Sequence, residues 1–238
     1  LFRACGFERV GQLEGFVLHK RRFKETSLIV EFLTLERGKI ATIVKGALRT
    51  KSKFGNSLQH SMRLELDVIG KSNLPTLTRV EVIEHFPNLR GLKAFTLLYV
   101  NELIIKFFGE NDPIKDVYHN YTELQRKLGS TGDYQSALRY FELTIFEAMG
   151  VQPELSITAD TMTSVSDSQT YFFKPSIGIL ENNFEGDSLK VHGETLCLLA
   201  KKAELKGRAE KEAKLLAQAV VRHHLDGQEL MVRRLIGK

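Results

Sequence analysis

Apolar and polar positions alternate with a period of two in short stretches over the first third of the chain, each stretch bounded by turn residues. Gly15–Lys20 reads as a short strand and Leu28–Thr34 as a stronger one. Glu36-Arg37-Gly38 is a turn, with Gly38 free to take a positive φ. Lys39–Lys45 resumes with Ile, Thr and Val, residues that suit a pleated surface, and Met62–Val68 alternates cleanly. Gly70 to Pro75 is another turn cluster, followed by a fifth strand over Leu77–Ile83. Five short strands with no helical period between most of them predict a small barrel. The five-stranded OB-fold is the economical choice; an SH3-like barrel shares the pattern, so topology stays open at this stage.

After residue 86 the period changes to 3.6. Leu92 to Phe108 is apolar almost all round, which predicts a helix buried at the centre of a bundle. Asp112-Pro113 reads as N-cap and first helical residue of a second helix, with Ile114, Val117, Tyr118, Tyr121, Leu124 and Leu128 on one face and a stop at Gly129. A third runs from Tyr134 through Phe141 and Met149 to Gly150. Residues 155–186 are rich in Thr, Ser and Asp before the β-like Thr170-Tyr171-Phe172-Phe173, and predict a two- or three-stranded insert. Helical character returns over Gly193–Leu205 and Ala209–His224, and a basic-hydrophobic stretch, Leu230–Leu235, follows. The expected class is α+β: an N-terminal extension at 1–13, a five-stranded OB-fold β-barrel at 14–86, and a mostly helical domain at 87–238 with a small β insert at about 155–186.

Charge sharpens this division. The chain has 238 residues and a formal net charge of +5. Residues 1–85 hold 15 Lys+Arg against 9 Asp+Glu, and the remainder 19 against 20, so the whole positive excess lies in the predicted barrel. From Arg37 to Leu64 the basic residues are Arg37, Lys39, Lys45, Arg49, Lys51, Lys53 and Arg63, with no acidic residue among them. Its centre, Lys45 to Lys53, has the small, polar look of a loop leaving a strand. Cations without internal counter-ions fit an anionic partner, and the commonest extended one is a phosphate backbone. The plainer reading is a basic surface that binds nothing. Two distant cysteines, Cys5 and Cys197, indicate neither a zinc site nor a disulfide framework and read as reduced thiols of a cytosolic protein. No apolar run reaches the ~18–20 residues of a membrane span, and no signal-peptide core is present.

The sequence carries no recognisable catalytic constellation. The seven histidines do not converge; His223 and His224 are adjacent on a predicted helix and point about 100° apart. Phosphate-loop, dinucleotide-binding and nucleophile-elbow motifs are absent, and Gly70-Lys71-Ser72 lacks the upstream Gly and following helix of a phosphate loop. Glu142 and Glu147 read as solvated helix surface. No cofactor or metal is implied. Binding chemistry remains. Lys20, Arg21, Arg22 and Lys24 lie between the first two strands, Lys39 opens the third, and Lys45, Arg49, Lys51 and Lys53 follow it. Loops between strands of an OB barrel flank a face that holds a single strand, where these cations would track phosphates. Phe23 and Phe54 are candidates for stacking on a base, each with a core role as the alternative.

With these residues laid out, the chain resembles the bacterial recombination mediator RecO family. The stretch Gly15–Leu28, the segments Leu35–Lys39 and Val44–Arg49, Leu98–Leu103, and Leu138–Leu143 with Ala148-Met149-Gly150 carry the likeness, in order over residues 14–235. Family prolines near Arg22 and near Gln59-His60-Ser61 are missing, and the four cysteines of a zinc module found in several branches are absent between Gln152 and Leu180. The resemblance implies an OB-fold plus a helical domain without enzymatic activity, in the bacterial cytoplasm and at the nucleoid during repair. It implies binding of single- and double-stranded DNA, annealing of complementary strands, and action with RecR to help RecA displace the single-stranded-DNA-binding protein. It also implies that the helical domain recognises the acidic, hydrophobic C-terminal tail of that binding protein. Arg139, with Tyr140 beside it, occupies the motif position chosen for this contact; the alternative is an exposed Arg paired with Glu142 or Asp133. The competing function is an RNA-binding OB-barrel protein whose helices form a partner platform.

Overall fold

The alternation in the first third of the chain closes on itself. A computed structural model describes residues 9–54, 56–70, 74–183, 186, 188–225 and 228–232. Five strands, Arg9–Phe23 (β1), Ser27–Thr34 (β2), Gly38–Val44 (β3), Met62–Ile69 (β4) and Thr76–His85 (β5), form a closed barrel in the order β1-β2-β3-β5-β4. All pairs are antiparallel except β3–β5, where the Ile43 N–H donates to the Pro75 carbonyl at 2.8 Å. This is the Greek-key order of the OB-fold, so pairing decides what alternation left open.

The first strand begins at Arg9, and residues 9–13, expected in the N-terminal extension, belong to it, with Leu13 in the barrel core. The pattern is hidden there by glycines. A Cβ on Gly15 would lie 2.7 Å from the Leu33 carbonyl oxygen, so β1 and β2 approach closely at a position without a side chain to read.

The barrel has two apolar layers. Inward-facing Leu13, Val17, Val30, Phe32, Ile40, Val44, Leu64, Leu66 and Val68 fill its interior, joined by Phe54 and Leu58 from the β3–β4 loop. Phe16, Leu18, Ile29, Leu33 and Ala41 lie outside that cluster and are buried all the same. Helices α1 (Leu92–Phe107) and α2 (Lys115–Gly129) belong to the barrel's compact unit, and they meet Phe16 and Leu18 of β1. The Phe16 ring lies 5.0 Å from that of Tyr121 and 5.4 Å from that of Tyr118. Buried amides tie the layers: Asn101 Nδ2 donates to the Leu18 carbonyl at 3.1 Å, Tyr121 OH to Asn101 Oδ1 at 2.7 Å, and Gln125 Nε2 to the His60 carbonyl at 2.8 Å. Each such bond contributes about 1 kcal/mol net, and more is lost when one partner is removed.

Two helical expectations change. The apolar helix placed at the centre of a bundle packs instead on β1. The helix expected to start at Asp112-Pro113 starts at Lys115, because the preceding residues are used against the β2–β3 turn. There the Asn111 N–H donates to the Lys39 carbonyl at 2.8 Å, and Gly38, at φ +64°, comes so close that a Cβ would sit 1.8 Å from the Asp112 carbonyl oxygen.

The second compact unit begins at Ser130. It holds α3 (Gln135–Ala148), the sheet β7-β6-β8 built from Thr170–Lys174 (β6), Gly178–Leu180 (β7) and Leu189–His192 (β8), then α4 (Gly193–Ala200) and α5 (Arg208–His224). The insert therefore has three strands, and its last lies beyond residue 186. Helix α4 ends at Ala200, short of the expected Leu205.

Candidate nucleic-acid interface

The end of the β1–β2 hairpin, where Lys20, Arg21 and Arg22 belong to strand β1 rather than to the expected loop between strands, meets the basic β3–β4 loop. Register places Phe23 opposite Ser27 and Leu28 opposite Val44, so the β1–β2 hairpin tip and the start of the β3–β4 loop share one end. The Leu48 N–H donates to the Thr26 carbonyl at 3.0 Å and fastens one to the other. Within the loop, Arg49 N–H donates to the Gly46 carbonyl at 3.2 Å and Ser52 N–H to the Arg49 carbonyl at 3.0 Å, with Gly46 at φ +71°. Ala47 packs on the barrel core and Phe54 enters it. The loop is thus a shaped turn. It gathers Arg21, Arg22, Lys24, Lys45, Arg49 and Lys51, all exposed. Apart from Lys24, whose ammonium stands 5.5 Å from the Phe23 ring centroid, these side chains take no hydrogen bond or ion pair from the described residues.

Other cations of the predicted set have internal work. Lys20 is half-buried and donates to the Leu58 carbonyl at 2.7 Å, and burial holds its pKa below the ordinary lysine value. Lys53 donates to the Thr78 carbonyl at 2.6 Å and stands 5.2 Å from the Phe54 ring centroid. Lys39 donates to the Ile105 carbonyl at 2.7 Å, in the last turn of α1, where a cation meets the negative end of the helix. Arg37 is bonded to Asn111, and Arg63 lies between Glu14 at 3.3 Å and Glu84 at 3.1 Å. Along β4 and β5 the charges are mixed, with Arg79 also beside Asp67 and Glu81. Of the acid-free run, Lys45, Arg49 and Lys51 are left with no hydrogen bond or ion pair from the described residues, while Lys53 is exposed with one of its donors engaged. Phe54 is 2% exposed and belongs to the core, and Phe23 is half-buried with a cation on its face, so neither presents an open ring. The sheet face expected between the loops is also closed on its β1–β3 side, where Ile29, Leu33 and Ala41 are buried. Leu48 is a further exposed residue among the loop cations, apolar and unmarked by any pattern in the sequence.

In the second unit Arg139 is not on the surface. It is 5% exposed and its Nη1 lies 2.8 Å from Glu142 Oε2, itself fully buried. The predicted partner Glu142 is right, but the pair is internal, because the residues around it on α3 are apolar. Tyr140 is half-buried and its hydroxyl donates to the Ala203 carbonyl, which leaves little of either residue open to a tail. A polar cluster lies at the start of α4: Glu212 accepts from Thr195 Oγ1 at 2.5 Å, the His192 backbone N–H at 3.1 Å and His192 Nδ1 at 2.5 Å. It serves the helix terminus, whose backbone donors need an acceptor. Among the described residues no group of three or more His, Cys, Asp or Glu is placed to hold a metal ion, and no helix is long and apolar enough to cross a membrane.

Residues 10–86 match the family profile described as recombination protein O N terminal, and residues 90–231 the one described as recombination protein O C terminal. The chain belongs to the RecO family. It is 31% identical over 221 residues to the DNA repair protein RecO of Methylococcus capsulatus, covering 93% of this chain and 90% of that one. Similar likenesses hold for the DNA repair protein RecO of Hamiltonella defensa, 34% over 225 residues with 94% and 96% covered, and of Laribacter hongkongensis, 33% over 229 residues with 94% and 93% covered. The two RecO profiles divide the chain at the end of the barrel, and the N-terminal one takes in the basic loops.

Proposed function

We propose that this RecO-family chain is a DNA repair mediator that binds single- and double-stranded DNA at the barrel end built from the β1–β2 hairpin and the β3–β4 loop. The observation that carries the reading is the meeting of Arg21, Arg22, Lys24, Lys45, Arg49 and Lys51 at one end, with no carboxylate from residue 37 to residue 64 to neutralise the loop. Lys20 and Lys53 flank it and shape it; Lys39 holds a helix end. Contacts to phosphate are sequence-independent and release counter-ions, which suits a protein that must hold any two strands. Two strands held on one cationic surface lose much of their mutual repulsion, and annealing follows from that.

The partners extend this reading: RecR and, through it, RecA, together with the C-terminal tail of the single-stranded-DNA-binding protein. For the tail, support comes from the resemblance alone, since Arg139 is buried and paired with Glu142. A tail carboxylate at this position would have to replace Glu142 on a buried guanidinium. The test is annealing of complementary oligonucleotides coated with the cognate single-strand-binding protein, with RNA oligonucleotides in parallel. Acceleration over the spontaneous rate for DNA is expected; no acceleration overturns the mediator role, and a preference for RNA transfers the barrel to the competing function.

A further inference from the structure

Leu48 is 41% exposed at the tip of the most basic loop of the chain. A single exposed leucine is ordinary on a protein surface. Its setting is not ordinary. Ala47 is turned into the barrel and packs on the core, and the Leu48 N–H is held by the Thr26 carbonyl, so the backbone directs the next side chain outward. Around it stand exposed Lys45, Arg49, Thr50 and Lys51, and the hairpin carrying Arg21, Arg22 and Lys24 is the segment it is bonded to. The ring candidates nearby are unavailable, with Phe54 in the core and Phe23 half-buried under the Lys24 ammonium. An apolar side chain gains nothing from phosphate oxygens. Next to a polyanion held by surrounding cations, the apolar surface within its reach is a base face, open in a single strand and accessible in a duplex only when a step unstacks.

From this geometry we infer that Leu48 is a nucleobase contact, an apolar wedge that rests against an unstacked base while the neighbouring cations hold the flanking phosphates. The inference rests on the DNA reading above and assigns a base-contacting residue to it. It makes single strands and strand junctions the preferred ligands over intact duplex, because unstacking is free in the first and costs energy in the last.

The test uses the full chain with an oligonucleotide carrying 2-aminopurine, as a single strand and as a blunt duplex, over a series of salt concentrations. Leu48→Ala is expected to keep the slope of log affinity against log salt, to weaken single-strand binding about fivefold to tenfold, and to lose the 2-aminopurine emission change; Leu48→Phe is expected to retain the emission change. Thermal melts matching wild type exclude a folding defect, since the side chain is outside the core. Leu48→Ala and Leu48→Phe that both bind and emit as wild type overturn the inference while leaving the DNA reading intact. A wild-type chain with no salt-dependent binding to either ligand overturns the DNA reading, and this inference with it.

Discussion

The cations at the loop end of the barrel and the cation at Arg139 come from similar sequence, basic residues beside apolar ones, and end in opposite environments. Lys45, Arg49 and Lys51 project from a turn whose backbone satisfies itself, so their charges stay hydrated and open to an outside anion. Arg139 lies on a helix whose neighbours Leu138, Phe141 and Leu143 are buried, so its charge goes inside with them and takes Glu142 as counter-ion. The same contrast runs through the barrel itself. Arg63 belongs to the acid-free run, but β1 and β5 bring Glu14 and Glu84 to it from 49 and 21 residues away. A stretch without acids in sequence is therefore not a surface without acids in space. Only the loop, which has no neighbouring strand on its outer side, keeps the bias that the sequence shows.

The largest way to break this comparison is at the buried cation. Arg139→Ala is expected to destabilise the helical unit by about 3–5 kcal/mol, because it leaves a carboxylate uncompensated in the interior, whereas Arg139→Met with Glu142→Leu recovers most of that loss. Urea unfolding of the three chains checks it, and DNA binding by the barrel is expected to persist in the double variant. Lys45→Ala, Arg49→Ala and Lys51→Ala together are expected to leave the melting temperature unchanged and to lower the salt slope for single strands by about 2, at roughly 0.7 per phosphate. Titrations at several salt concentrations decide this, and an unchanged slope removes the loop from the interface.

Lys39→Met sharpens the comparison from the other side. It is expected to cost about 0.5–1 kcal/mol of stability through the C-terminus of α1, with the salt slope as in wild type, measured by denaturation and by the same titrations. The smallest effect concerns Glu212. Burial works against its ionisation, but the Thr195 hydroxyl, the His192 backbone N–H and the His192 ring outweigh it and hold its pKa below the ordinary glutamate value. A carboxylate with a depressed folded pKa contributes stability above its unfolded pKa and loses it as pH falls through the folded one. The melting-temperature gap between wild type and Glu212→Gln is therefore expected to be full near pH 6 and to narrow below about pH 4.5.

Much of the fold was legible in the chain. Strands two to five are apolar and β-branched stretches between turn residues, with clean alternation in β4, and their ends lie within two residues of the expected ones. The first strand was read short because Gly11 and Gly15 interrupt the pattern where backbones meet closely. The start of α2 was misread because Asp112-Pro113 has the residues of a cap, yet the Gly38 turn holds that segment. For the candidate site, the loop cations were legible because their neighbours in sequence are also their neighbours in space. Lys39, Lys53 and Arg63 were not separable from them, since what occupies each is a carbonyl or carboxylate distant in the chain.

By itself the sequence determined a β segment carrying all the positive excess, a helical segment after it, and a family. Periodicity and charge are local quantities, and turns and alternation act over a few residues. Only the tertiary structure decided that the barrel closes in OB order, that helix α1 packs on β1, and that Arg139 is internal. It also decided that three of seven cations in one acid-free run are left without an internal partner among the described residues. Those outcomes depend on which distant carbonyls and carboxylates arrive beside each ammonium or guanidinium, and burial makes such a partner obligatory only where the chain has already folded over it.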